Sequence, residues 1–330
     1  MNPNFKNIFI TGGAGYVGAR LVPKLLEEGY RVTVFDLMIY GLNVIKDHPN
    51  LVMFKGDIRD IASVEKNITG HDAVIHLACI SNDPSFELNP SLGKSINLDS
   101  FEPLVQSSIN AGVKRFIYAS SSSVYGVKKE SNVTEELNLD PLTDYSKFKA
   151  ECERILEKYT DDSFTTTTLR PATVCGYSPR QRLDVVVNIL TNLAFHNRRI
   201  SVFGGEQLRP NIHILDMVDA YLKILECADN EINGEIFNVG SENHSVNELA
   251  QIVKDVVGDD VEISTEISND KRSYHISSEK IGSKLGFLSK RSVTQASEEL
   301  TKAFVEGKLQ KPLENHNYFN IKTMQKINLK

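Results

Sequence analysis

Short apolar, β-branched runs recur along the first half of the chain, and amphipathic stretches separate them. The run Ile8-Phe9-Ile10 is followed by similar ones at 31–35, 51–54, 73–77, 115–119 and 165–169. Each has the length of a buried strand, and the stretches between them carry apolar residues at helical spacing. Such alternation predicts an α/β fold, a Rossmann-type doubly wound parallel sheet with helices on both faces. After Gly176 the pattern changes. Residues 177–184 are polar and turn-like, 185–195 read as a helix, and Gly204-Gly205 marks a turn. Ile236-Phe237-Asn238-Val239 reads as a late strand returning to the sheet. The expected organisation is a Rossmann unit over 1–176 with returning segments near 210–240. A smaller, discontinuous C-terminal lobe takes 177–209 and 241–310. The polar tail 311–330, with its spaced lysines, reads as a surface extension.

The first strand runs into Thr11-Gly12-Gly13-Ala14-Gly15-Tyr16-Val17-Gly18, and a helix follows. Glycines there allow positive φ and close approach of a ligand to the backbone. The N–H groups of a helix start suit a pyrophosphate. The stretch fits both Gly-x-Gly-x-x-Gly (Gly13, Gly15, Gly18) and Gly-x-x-Gly-x-x-Gly (Gly12, Gly15, Gly18), with Tyr16 and Val17 inside either. The next strand ends at Asp36, 18 residues after Gly18, near the roughly 20 expected of an acid that holds an adenosine ribose. A carboxylate accepts from both ribose hydroxyls and repels a 2′-phosphate, so the expected cofactor is NAD. Ligands of such folds gather beyond the carboxyl ends of the strands, which marks Asp36, Asp57, Ala78, residues 120–123 and the stretch from Pro171 to Gly176.

Composition narrows the class. Of 330 residues, 41% are hydrophobic and 24% charged, as in ordinary globular proteins. The net charge of −6 argues against a nucleic-acid or anionic-membrane partner. No apolar run approaches the roughly 18 residues of a membrane helix. The first strand begins too early for a signal peptide, so a cytoplasmic location is expected. Cys79, Cys152, Cys175 and Cys227 are scattered and read as reduced thiols, with no metal site among them.

Candidate chemistry lies in Tyr145-Ser146-Lys147-Phe148-Lys149, a Tyr-x-x-x-Lys on a helical stretch. At i and i+4 the two side chains share a face. A phenol of pKa near 10 is a poor base at neutral pH until a positive neighbour lowers it, and Lys149 is expected to supply that charge. Upstream, Ser120-Ser121-Ser122-Ser123-Val124-Tyr125-Gly126 follows a predicted central strand. A hydroxyl there can bond the same substrate oxygen that Tyr145 deprotonates.

Together these motifs resemble the extended short-chain dehydrogenases/reductases, in the NAD-dependent sugar-nucleotide epimerase/dehydratase group, UDP-glucose 4-epimerase-like. The resemblance spans roughly residues 5–305. It implies that Gly12, Gly15 and Gly18 are the glycine signature, Asp57-Ile58 the adenine-contacting pair and His76-Leu77-Ala78 the post-strand motif. Asn97 takes the place of an asparagine beside the cofactor, although Ser100 replaces the usual glycine after it. Ser121, Tyr145 and Lys149 are then the catalytic set, and Pro171 a further cofactor contact. In the implied mechanism Tyr145 takes a proton from a sugar hydroxyl while NAD takes the hydride. In an epimerase the keto sugar rotates and recovers the hydride on its other face.

The resemblance also separates reactions. Dehydratases of the group carry Asp-Glu after the catalytic Ser/Thr, whereas this chain has Ser122-Ser123, which disfavours dehydration. The expected substrate is a nucleoside-diphosphate sugar, met by Ser122, Ser123, Thr173, Arg180, Arg182, Asn188, Arg209 and Arg272. Thr173 stands where an asparagine is familiar, and for each arginine a surface ion pair fits as well. His213 and Asp216 are expected to fix local structure. The function the resemblance implies is epimerisation at C4 through a transient 4-keto sugar, with a sugar-nucleotide 4-dehydrogenase or ketoreductase and a non-catalytic dinucleotide-binding protein as alternatives. These departures suggest a sugar nucleotide of surface-polysaccharide or deoxysugar metabolism. The helices near 100–111 and 145–159 resemble those of a two-fold interface, so a homodimer is expected, although Leu104, Val105 and Ile109 can equally pack inward.

Overall fold

The structure, a computed structural model, describes residues 5–41, 43–81, 83–267, 273 and 275–329. Its frame is a seven-stranded sheet, parallel throughout. The strands are β1 (Asn7–Thr11), β2 (Arg31–Asp36), β3 (Leu51–Lys55), β4 (Ala73–His76), β5 (Arg115–Ala119) and β6 (Thr165–Pro171). Three short strands intervene, β7 (Thr173–Cys175), β8 (Arg199–Phe203) and β9 (Leu208–His213), before β10 (Glu235–Val239) joins the sheet. The spatial order is β10-β6-β5-β4-β1-β2-β3. Expectation and structure agree, including the late return of β10, which lies parallel to β6 with Phe237 opposite Leu169.

Both faces of the central strands are buried, which explains the apolar runs of β1, β2, β4 and β5, whereas edge strand β3 leaves Val52 and Phe54 exposed. Successive side chains alternate faces. Ile8, Ile10, Val32, Val34, Ile75 and Ile117 enter one cluster. Phe9, Phe35, Val74, Phe116 and Tyr118 enter another. Helices Gly18–Glu27 and Ile214–Glu226 cover the first face with Leu21, Val22, Leu25 and Met217. Helices Ile61–Ile68, Phe101–Asn110 and Asp144–Glu157 cover the second with Val64, Leu104, Val105 and Leu156. Each fully buried aliphatic contributes roughly 1.5–3 kcal/mol relative to exposure. Leu104 and Val105 therefore point inward, while Ile109 stays 37% exposed.

The strand order reverses between β1 and β4, and the crevice there is where ligands of open α/β sheets bind. Away from it, β9 pairs with β7 and with β11 (Glu242–Ser245), and β8 with β12 (Glu262–Glu266). Helices Val186–Asn197, Val246–Val257 and Val293–Val305 share a third cluster around Val187, Leu249 and Ala296. His213 caps helix Ile214–Glu226 by accepting the Leu215 N–H, and Asp216 pairs with Arg291 at 2.5 Å. Both are structural, as expected.

The tail departs from expectation. Helix Asn320–Ile327 folds back over the mouth of the β1/β4 crevice, with Asn320, Thr323 and Met324 buried. Among the described residues, no helix is long and apolar enough to cross a membrane, and no group of His, Cys, Asp and Glu is placed to hold a metal ion. The four cysteines are free.

Candidate active site

A cavity of about 460 Å³ opens along the carboxyl ends of the strands, within the range of small-molecule sites. Gly12, Gly15, Tyr16, Val17 and Gly18 form its floor at the start of helix Gly18–Glu27. The structure resolves the two readings of the glycine run. Gly13 packs under the turn, where a Cβ would meet the Val34 side chain at 2.8 Å, and it does not line the cavity. Gly12 adopts φ +72°, and a Cβ on it would lie 2.5 Å from the Ala78 nitrogen. Gly18 is as tight, its Cβ falling 2.2 Å from the Gly13 carbonyl. These two glycines let β1, β4 and the helix start converge. Gly15 meets nothing closer than the Gly12 carbonyl at 3.1 Å. Its cavity face is thus open to a ligand at the start of helix Gly18–Glu27.

Asp36 ends β2 against this floor. One carboxylate oxygen accepts from the Ala14 amide at 3.0 Å and the other from the Met38 amide at 2.7 Å. Burial pushes its carboxyl above the ordinary range, against the lowering effect of those amides. Asp57 and Ile58 line the same end, with Asp57 held low by Arg59 at 2.6 Å despite partial burial. Leu77, Ala78 and Pro171 line the cavity farther along. A glycine cradle open on its cavity side, the Asp36 carboxylate at the end of β2 and the neighbouring Ile58 and Ile80 side chains fit a dinucleotide without a 2′-phosphate.

Ser121, Tyr145 and Lys149 meet at the other end. Tyr145 lies in the first turn of helix Asp144–Glu157, fixed by a capping box. The Thr143 hydroxyl accepts the Ser146 amide, and the Ser146 hydroxyl accepts the Thr143 amide at 3.1 Å. Lys149 donates its ammonium to the Ala119 carbonyl at 2.6 Å, which ties the helix to the end of β5. The Ser121 hydroxyl lies 2.8 Å from that of Ser123. Burial raises the Tyr145 phenol well above its ordinary value. Cys79 and Asp83 add to the rise, while Arg182 and the Ser121 hydroxyl oppose it. The expected lowering by Lys149 is not among these leading influences. Its Nζ sits 5.9 Å from the Tyr145 ring centre, with one N–H committed to Ala119.

The remaining expected residues divide. Ser122, Ser123, Thr173, Arg180, Arg182 and Arg209 all line the cavity. Asn97 and Asn188 do not, which corrects their expected ligand contacts. The Asn97 amide bonds the Ile80 N–H and carbonyl at 2.8 and 2.9 Å from within a π-helical turn, Ser95–Asp99. Asn188 accepts the Gly176 amide at 3.0 Å and donates to the Tyr16 hydroxyl and the Arg182 carbonyl. Each satisfies buried backbone groups, Asn188 sharing the Arg182 carbonyl with the Gln181 side chain. Both hold cavity walls in place. Arg272 lies outside the described residues.

Several participants escaped sequence reasoning. The buried Glu153 carboxylate binds Arg170 at 2.7 Å and accepts the Ser120 hydroxyl, and Arg170 donates to the Tyr125 hydroxyl at 2.7 Å. Asp83, whose carboxylate accepts the Thr143 hydroxyl at 2.5 Å, lines the cavity beside Tyr145. Tyr40, Ser81 and Asn320 line it at the floor end. A Thr-x-x-Ser cap before Tyr145 was the available signal for the first turn; nothing local marked the others.

A family model for the NAD dependent epimerase/dehydratase family matches residues 8–240. The protein y4nG of Sinorhizobium fredii is 34% identical over 251 residues, which cover 75% of this chain and 60% of that one. The chain thus spans less than two thirds of that relative. A dTDP-D-glucose 4,6-dehydratase of Mus musculus is 28% identical over 301 residues, 84% of this chain and 83% of its own. In structure, the UDP-glucose 4-epimerase of Thermotoga maritima, solved with UDP-glucose, superposes with a TM-score of 0.83 at 28% identity, covering 91% of this chain and 99% of that one.

Proposed function

Because the chain belongs to the NAD-dependent epimerase/dehydratase family and NAD is the cofactor of that family, we propose that this enzyme is a nucleoside-diphosphate-sugar epimerase acting at C4. One observation carries the reading. Ser121, Tyr145 and Lys149 converge on one cavity, and the two positions after Ser121 offer only the hydroxyls of Ser122 and Ser123. Removal of water from a sugar needs an acid for the leaving hydroxyl and a base for the adjacent C–H, and serine does neither at neutral pH. The carboxylates that line the cavity are engaged elsewhere. Asp36 holds backbone amides, Asp57 holds Arg59, Asp83 takes the Thr143 hydroxyl, and Asp184 holds Arg182.

NAD, when bound, supplies the hydride acceptor and returns the hydride. The chain's residues do the rest. Tyr145, as phenolate, takes the proton of the sugar 4-hydroxyl as the C4 hydrogen departs with its electron pair, leaving a 4-keto sugar. Ser121 donates to the same oxygen and holds it in line with the phenol. Lys149, anchored at Ala119, directs its remaining N–H donors to the ribose of the cofactor. Tyr145 gives the proton back once the keto sugar presents its opposite face, so a single residue serves as base and then as acid. Arg209, Thr173 and the two serines present donors to the nucleotide sugar. We place a homodimer contact on helices Phe101–Asn110 and Asp144–Glu157, where Ile109 is exposed.

The experiment is to purify the enzyme and assay it with nucleoside-diphosphate sugars. Co-purified NAD and 4-epimer formation with no net NADH support the proposal; stoichiometric NADH release supports a dehydrogenase and removes it.

A further inference from the structure

Arg180 is 3% exposed, yet among the described residues no carboxylate is bonded to it. Its guanidinium stacks 3.5 Å over the Tyr40 ring and donates through Nη2 to the Asn320 side-chain oxygen at 2.6 Å. Among the described residues its Nε and Nη1 have no hydrogen-bond partner, nor has Nη2 of Arg182. The nearby carboxylate, Asp184, is bonded to Arg182 at 2.8 Å. A buried cation with open donors is costly unless an anion completes it.

The position of these donors identifies the anion. The segment that carries them is fastened to the glycine turn. The Tyr16 hydroxyl donates to the Gly176 carbonyl at 2.7 Å, the Ser178 hydroxyl to the Tyr16 carbonyl at 2.8 Å, and Arg20 Nε to the Tyr177 carbonyl at 2.9 Å. Arg180 also faces Tyr40, four residues beyond Asp36, and Arg182 donates to Ser81, just beyond β4, at 3.2 Å. All of these lie around the helix start that suits a pyrophosphate. Asn320 closes the ring. Besides Arg180 it accepts the Tyr40 hydroxyl at 3.0 Å, donates to Ser81 at 2.9 Å, and its backbone N–H donates to Asp184 at 2.8 Å. Met324, one turn on, packs in the cluster of Ile58 and Ile80 and lines the cavity at its adenine end.

We propose that Arg180 and Arg182 grip the pyrophosphate of the dinucleotide, not the diphosphate of the sugar substrate, and that the C-terminal helix clasps this grip through Asn320. The proposal rests on the dinucleotide site and not on reaction at C4, so either reading can fail alone. A glycine cradle on one side and guanidinium donors on the other enclose the same anion.

The test uses the full-length protein loaded with isotope-labelled NAD. Its loss is followed by mass spectrometry during exchange against excess unlabelled NAD, while UDP binding to the same holoenzyme is measured by calorimetry. Arg180→Gln and Asn320→Ala are each expected to speed NAD loss by on the order of ten-fold or more, since each removes or frees a charge-assisted bond, with UDP affinity unchanged. Asn320→Ala leaves the guanidinium in place and keeps the test decisive if Arg180→Gln does not fold. NAD exchange at the wild-type rate in Asn320→Ala, or loss of UDP affinity in its place, overturns the proposal.

Discussion

Arg170 and Glu153 form a buried ion pair, 2.7 Å apart, between β6 and the helix that carries Tyr145 and Lys149. Ser120 donates to the same carboxylate, so the pair binds the end of β5, β6 and helix Asp144–Glu157 into one rigid unit. Removing one member strands a charge. Glu153→Ala is expected to cost about 3–5 kcal/mol in chemical denaturation. The double variant Glu153→Met, Arg170→Met should recover much of that loss. If the single substitution costs under about 1 kcal/mol, the pair does not hold the unit together.

Tyr145→Phe keeps the ring and its packing and removes only the hydroxyl. Turnover of any accepted sugar nucleotide should fall by about 10²–10⁴-fold, the range for a positioned general base. NAD retention and the thermal midpoint should stay at wild-type values. Equal turnover in the two proteins would show that the phenol does not carry the proton.

The pH dependence follows from what surrounds that phenol. Burial raises it first, and Cys79 and Asp83 raise it further. In the proposed mechanism the reactive form is the phenolate, so the rate should climb with pH until the phenol is ionised. Asp83→Asn deletes a nearby negative charge and should move the climbing limb of kcat to lower pH. Ser121→Ala removes a donor to the phenolate and should move it to higher pH. Shifts in the opposite directions would mean that another group sets the profile.

His76 gives a stability counterpart. Fully buried, hydrogen-bonded with Thr11 at 2.7 Å and facing the Lys149 charge, it is pushed down to about 3 from 6.5, mainly by burial. A native imidazole that resists protonation stabilises the fold fully above the unfolded value. That contribution is lost as pH falls from about 6.5 toward 3, because the unfolded chain binds the proton first. The thermal midpoint should therefore decline over this window, and less steeply in His76→Gln. Parallel declines in the two proteins would assign the effect to other groups.

The parts legible in the sequence were those with a local signature. Strand runs such as 31–35 declare themselves because both faces of the sheet are buried, and Gly12 because no side chain fits against Ala78. Tyr145 and Lys149 are a turn apart on one helix, so spacing alone paired them. The illegible parts depend on partners far along the chain. Asn320 joins residues 136 to 280 positions away, and nothing in the polar text around it announces that. Its neighbourhood read as a solvated tail because one buried asparagine and one methionine suffice to dock it. Asn97 and Asn188 show the converse: the resemblance placed Asn97 beside the cofactor, but the sequence does not say which way either amide turns. Glu153 and Arg170 look separately like helix and strand residues, and only their burial together reveals a pair.

The claim that this is an epimerase is tested most directly by isotopes. A panel of nucleoside-diphosphate sugars is incubated with the enzyme and NAD in deuterated water, and products are read by mass spectrometry and NMR. The account predicts an accepted substrate converted to its C4 epimer with unchanged mass, no solvent deuterium on carbon and no accumulated NADH. A product lighter by one water with deuterium introduced on carbon, or an oxidised sugar formed with matching NADH, would contradict it.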